Sequence, residues 1–141
     1  ENDPEFAKQV VALMRNPQRT LVIEGDGVSP SEYLGLIHRA RFFIASRLHS
    51  AILATVANVP SVCLYYVDKG RLFFEQMGLQ RFSASINVML EAGVVDRLMA
   101  TVDELVASDA EVRKSMRERL AEMRSEIRAD FVSVVGKDGR G

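Results

Sequence analysis

Arg41-Phe42-Phe43-Ile44-Ala45, Ser46-Arg47-Leu48-His49-Ser50, Ala51-Ile52-Leu53-Ala54-Thr55-Val56-Ala57, Asn58-Val59-Pro60 and Ser61-Val62-Cys63-Leu64-Tyr65-Tyr66 follow one another without a gap. The first and last runs are short, apolar and rich in aromatic or β-branched residues, which is how a fully buried strand reads. Between them lies an apolar helical stretch that must be buried on most sides, closed by Asn58-Val59-Pro60 because proline cannot continue a helix. Two strands joined through a helix imply a parallel pair with a right-handed crossover. Ligands of such open sheets bind beyond the carboxyl ends of the strands, so the turn 46–50 is the first place to look for chemistry.

The same alternation extends outward. Upstream, Ser29-Pro30-Ser31-Glu32 is a capping box with proline at the first helical position, and Leu34, Ile37 and Ala40 then share one face. Before it, Thr20-Leu21-Val22-Ile23 reads as a strand broken by Gly25-Asp26-Gly27. Asn2 or Asp3 can cap a first helix from Pro4 to Asn16, with Phe6, Val10, Leu13 and Met14 on its apolar side. Downstream, Asp68 is placed to cap a helix that ends at Gly78 as a left-handed residue, with Leu79 making the accompanying apolar contact. A brief strand over 82–86 follows. Val94, Leu98, Val102 and Leu105 then share a helix face, and Val112, Met116, Leu120, Met123, Ile127 and Phe131 form a narrow stripe on a helix over about 109–135. The stripe favours a helix lying across the domain or its neighbour over a partner-binding coiled coil. Residues 136–141 read as a disordered tail. The expectation is one Rossmann-like α/β domain over 1–135, with an open parallel sheet of three to four strands and flanking helices.

Composition limits the function. The 141 residues are 48% hydrophobic and 26% charged, the profile of an ordinary soluble domain. Eighteen Lys plus Arg against nineteen Asp plus Glu leave a formal charge of −1, with no basic stripe for nucleic acid. No apolar stretch reaches the ~20 residues of a membrane span, and no signal segment opens the chain. The single cysteine, Cys63, sits in an apolar run and reads as a buried core thiol in a reducing, cytoplasmic compartment. The chain opens on Glu1-Asn2-Asp3-Pro4 rather than Met, which points to a processed product or a piece of a longer protein.

Three strand-to-helix turns can be read at the carboxyl edge: 24–28, 45–50 and 65–69. In the second, Arg47 offers a planar fork to phosphate or carboxylate, His49 a proton near neutral pH, and the helix start its unpaired amides. An ion pair at Arg47 and a helix cap at His49 suit the spacing equally well. Lys69 in the third turn is either a second anion contact or a solvated lysine. Tyr65 and Tyr66 face opposite ways on their strand, and Tyr66 is the one assigned to the cleft. Gly25-Asp26-Gly27 is read as a simple turn, since no dinucleotide fingerprint follows it. His38, near a helix C-terminus, is read as a surface residue. No metal-ligand spacing is visible.

The run Ser46 to Ala54, then Val59-Pro60, Tyr66, Lys69 and Gly78-Leu79, resembles the C-terminal portion of the polysaccharide pyruvyl transferase family over roughly residues 20–80. There an Arg-Leu-His turn, an apolar helix, a Val-Pro step and a Tyr-Asp-Pro-Lys segment follow in the same order. One departure is plain: Val67-Asp68 stands where the family has Asp-Pro. The resemblance implies the C-terminal half of a glycosyltransferase-B-like, two-domain enzyme, with the N-terminal domain missing from this chain. Such an enzyme moves the enolpyruvyl group of phosphoenolpyruvate onto a sugar hydroxyl of a glycan or lipid-linked saccharide, leaving a pyruvate ketal in a cell-surface glycan. It implies Arg47, Lys69 and Tyr66 as substrate-binding residues and His49 as the proton donor, with no metal or cofactor. Two other readings compete: a nucleotide-sugar glycosyltransferase of the same architecture, and a non-catalytic anion-binding or assembly module.

Overall fold

The computed structural model describes residues 3–24 and 27–138, and these fall into two compact units, Glu1–Glu32 and Tyr33–Gly141. In the first, helix α1 (Asp3–Ala12) buries none of its residues, and it stops four residues before Asn16. Phe6, Val10, Leu13 and Met14, the face expected to pack, are exposed. The expected strand Thr20–Ile23 is absent. This stretch is irregular, with Leu21 and Ile23 exposed. A strand exists only by pairing, and none of the described residues of this unit forms a strand to pair with. Gly25 and Asp26 lie outside the described residues.

Helix α2 (Pro30–His38) bridges the boundary between the units and starts as its sequence dictates. Ser29 N donates to Glu32 Oε2 at 2.8 Å and Glu32 N to Ser29 Oγ at 3.3 Å, the reciprocal bonds of a capping box. The Ser29 hydrogen bonds hold the Glu32 carboxyl below its usual range. Ile37 is buried, packed with Leu34 and Ala40 against Ala54, Ala57 and Val59.

Three strands form one parallel sheet in the order β1 (Phe43–Ala45), β2 (Ser61–Tyr65), β3 (Ser83–Ser85). Ala45 pairs with Cys63 and Tyr65 with Ser85. Helix α3 (Leu48–Val56) joins β1 to β2, and α4 (Asp68–Gln76) joins β2 towards β3. Both crossovers pack on one side of the sheet and touch each other, as two right-handed connections between strands in sequential order require. Side chains alternate along β2. Cys63 and Tyr65 meet α4, and Val62 and Leu64 face α5 (Val94–Ala107), whose Val94, Val102 and Leu105 are buried. Cys63 is buried, and burial raises its thiol pKa.

The amino edge of the sheet is tightly held. Asn58, with φ of 55°, closes α3: its N–H donates to Thr55 O and that of Val59 to Ala54 O. Gly78, with φ of 70°, closes α4 in the same way, through Gly78 N to Glu75 O and Leu79 N to Phe74 O. Both are six-to-one, five-to-two helix stops in which the left-handed residue turns the chain and the next side chain packs inward. Val59 and Leu79 are both buried. Helix α6 (Asp109–Asp138) then runs beneath this edge. Arg113 donates through Nε to Asp109 Oδ1 and through Nη2 to Arg41 O, both at 2.9 Å, and through Nη1 to Asn58 O. Arg119 Nε donates to Gln76 O at 2.9 Å.

Val112 and Met116 of α6 are buried and Leu120 and Met123 pack on the same core, around Phe74, Met77 and Phe82. Farther along the stripe Ile127 and Phe131 are exposed. The helix continues through residues 136–138, where a tail was expected, and 139–141 lie outside the described residues.

Candidate functional site

The carboxyl edge of the sheet differs from the amino edge in that most residues of its two turns, 46–50 and 66–69, are exposed. β1 ends at Ala45, which pairs with Cys63, so β2 runs two residues farther to Tyr65 before it turns. Adjacent strands lie about 4.8 Å apart. The register therefore places the turn 46–47 alongside the end of β2 and the turn 66–67 next to it. Arg47 and His49 come from the first turn and Tyr66 and Lys69 from the second, and all four are exposed. Sequence reasoning had assigned these four, and the fold brings them to neighbouring strand ends.

Local backbone explains how each is presented. Arg47 is the N-cap of α3, extended at φ −134° and ψ 142°, with no side-chain cap bond. Its carbonyl accepts from Ala51 N at 3.2 Å and from Ser50 Oγ at 2.7 Å, which fixes the turn while the guanidinium stem leaves it. His49 is the second residue of α3, so it is not that helix's cap. Val67 is the N-cap of α4, equally extended at φ −133° and ψ 149°. Asp68 is thus the first helical residue rather than the cap expected from sequence, and it pairs at 3.6 Å with Arg71, which also binds Glu75.

Arginine and valine are poor capping residues. The contrast with α2 is direct, since α2 satisfies its own first amides with Ser29 and Glu32 whereas α3 and α4 have no side-chain cap from their N-cap residues. Two helix starts without side-chain caps, a guanidinium, an ammonium and an imidazole thus stand at one sheet edge.

Tyr65 and Tyr66 part as strand alternation requires: Tyr65 packs on the core and Tyr66 is 63% exposed. His38 ends α2 on the surface, with Nδ1 at 3.0 Å from Ala57 O. Two features escaped the sequence reading. Arg113 lies in a charged segment with nothing to mark it as a fork across two strand entries. Gly70 is the other: a Cβ there would sit 2.6 Å from Tyr65 Cβ. Its signal was present, a glycine in the first turn of a helix with no turn to make. A recess of about 380 Å³ lies elsewhere, between the sheet and α5, lined by Val62, Leu64, Ala84, Val94 and Leu98. Among the described residues there is no group of His, Cys, Asp and Glu that could hold a metal ion, and no helix is long and apolar enough to cross a membrane.

Residues 2–68 match the family model for polysaccharide pyruvyl transferase, a transferase family. The matched stretch is just under half of the chain. It includes Arg47, His49 and Tyr66 and stops one residue short of Lys69. The family that the Arg-Leu-His turn resembles is thus the one whose model matches, over a stretch that begins earlier and ends earlier than the quoted motifs. No curated protein and no solved structure matches the chain.

Proposed function

We propose that this chain is the Rossmann-like, donor-binding part of a pyruvyl transferase that transfers the enolpyruvyl group of phosphoenolpyruvate to a sugar hydroxyl. The observation that carries the reading is the coincidence of two independent facts. The family match includes Arg47 and His49, and the fold sets these beside Tyr66 and Lys69 at two helix starts without side-chain caps.

Arg47 and Lys69 neutralise the donor's phosphate and carboxylate, and the amides at the start of α3 supply further hydrogen bonds. Tyr66 forms the apolar wall beside the three-carbon unit. His49 in its charged form delivers a proton to the donor's methylene carbon. The adjoining carbon becomes electron-poor, and one sugar hydroxyl adds to it and returns its proton to His49. A second hydroxyl of the sugar displaces phosphate, which leaves with that second proton as the ketal closes. The acceptor, a glycan or lipid-linked saccharide, enters from a second domain of a glycosyltransferase-B-like cytoplasmic enzyme. The 141-residue chain alone therefore binds donor weakly and has little or no turnover.

Calorimetric titration of the purified chain with phosphoenolpyruvate and, separately, with a nucleoside diphosphate tests this. Phosphoenolpyruvate binds, and Arg47→Ala weakens it roughly ten- to a hundred-fold, the value of a charged hydrogen bond of about 1.5–3 kcal/mol. Binding of the nucleoside diphosphate in its place would identify a nucleotide-sugar enzyme instead.

A further inference from the structure

Gly70 is the third residue of α4, where glycine costs about 1 kcal/mol against alanine in a helix. Its backbone is not in the left-handed region, so conformation does not require glycine there. Space does. An added Cβ would fall 2.6 Å from Tyr65 Cβ and 3.5 Å from Cys63 Sγ. Tyr65 Cβ is rigidly attached to β2, and Gly70 itself is buried. Restoring ordinary carbon contact at about 3.5–4.0 Å requires the first turn of α4 to move away by about 1 Å. Lys69 precedes Gly70 on that turn, and Tyr66 leads into it.

We propose that Gly70 is a positioning residue: by letting α4 lie directly on β2, it holds Lys69 and the start of α4 against the neighbouring Arg47 turn. This rests on the anion-binding reading of the edge given above. It goes beyond that reading by assigning the spacing of the two turns to one steric pair, Tyr65 and Gly70. A displacement of about 1 Å at a binding group is enough to lower activity ~10²-fold.

The test is titration of the 141-residue chain with phosphoenolpyruvate, followed by backbone amide NMR at residues 47–50 and 66–70, in four variants besides wild type. Lys69→Ala weakens binding about ten-fold, and Gly70→Ala weakens it at least as much. Tyr65→Gly removes the other half of the contact, and Tyr65→Gly with Gly70→Ala binds within about three-fold of Tyr65→Gly alone. A merely structural glycine would lower the melting temperature of Gly70→Ala and leave the affinity of the folded protein unchanged, which overturns the proposal. Wild-type affinity in Lys69→Ala overturns it as well. If wild type shows no response at either turn, the anion-site reading falls and this proposal with it. That outcome differs from the case in which Lys69→Ala is weakened and Gly70→Ala is not, where only the role of Gly70 is lost. Should Gly70→Ala not fold, the double variant decides: affinity equal to that of Tyr65→Gly supports the steric pair, and loss of binding overturns it.

Discussion

The two edges of the sheet are built on opposite rules. At the amino edge, helix ends are stopped by matched hydrogen bonds at Asn58 and Gly78, and Arg113 ties Arg41 O and Asn58 O to α6. Its polar groups are consumed within the protein. At the carboxyl edge, α3 and α4 begin at Arg47 and Val67 without side-chain caps, and Arg47, His49, Tyr66 and Lys69 are exposed. Polar groups spent within the fold stabilise it, and exposed basic side chains beside a helix start suit an anionic ligand. Substitutions at the two edges should therefore separate stability from binding.

The largest effect is expected at His49. In any form of the protein that turns over, His49→Asn should lower turnover by ~10²–10⁴-fold, the usual contribution of general acid–base catalysis, with donor affinity within a few-fold of wild type. A variant of near-normal turnover and unchanged pH profile would move the proton to another group, Lys69 first. Next is the core that joins the edges. Phe74 is fully buried, and Phe74→Ala should cost about 3–5 kcal/mol in denaturant unfolding.

Arg113→Ala strikes the amino edge alone. It leaves two strand-entry carbonyls without their charged donor and should cost about 1.5–3 kcal/mol of stability, with phosphoenolpyruvate affinity of the folded protein unchanged. If affinity falls in parallel, the edges are coupled and the contrast drawn above is wrong. The smallest effect is a gain. Gly35 lies in α2 with ordinary φ and nothing within 4 Å of an added Cβ, so Gly35→Ala should raise stability by about 0.4–1 kcal/mol. Set beside Gly70→Ala, where an added Cβ meets Tyr65, it is the same substitution with no steric partner and so isolates space as the cause.

The strand-helix-strand at 41–66, the capping box at Ser29, the stop at Gly78 and the core thiol were legible in the sequence because each is a local rule: apolar run length, a side chain three residues from its partner, a left-handed residue free of Cβ strain. The placement of Arg47, His49, Tyr66 and Lys69 was legible for the same reason, since all four lie within five positions of a strand end. What local rules cannot carry was missed. Thr20–Ile23 has strand composition but no strand in its unit to pair with, and pairing is a property of two segments. The α1 face of Phe6 and Val10 has helical spacing and no burial, because periodicity says which side would pack and not whether anything packs there.

The sequence by itself determined the order of most of the elements and where most of them start and stop. Only the tertiary structure decided that Arg113 closes the amino edge across 72 residues to Arg41, that two helix starts stand side by side without side-chain caps, and that Gly70 must lack a side chain. Each of these is a relation between segments far apart or packed face to face. Hydrogen bonds and steric contacts act through space, and the spacing along the chain does not encode them until the sheet has set its register.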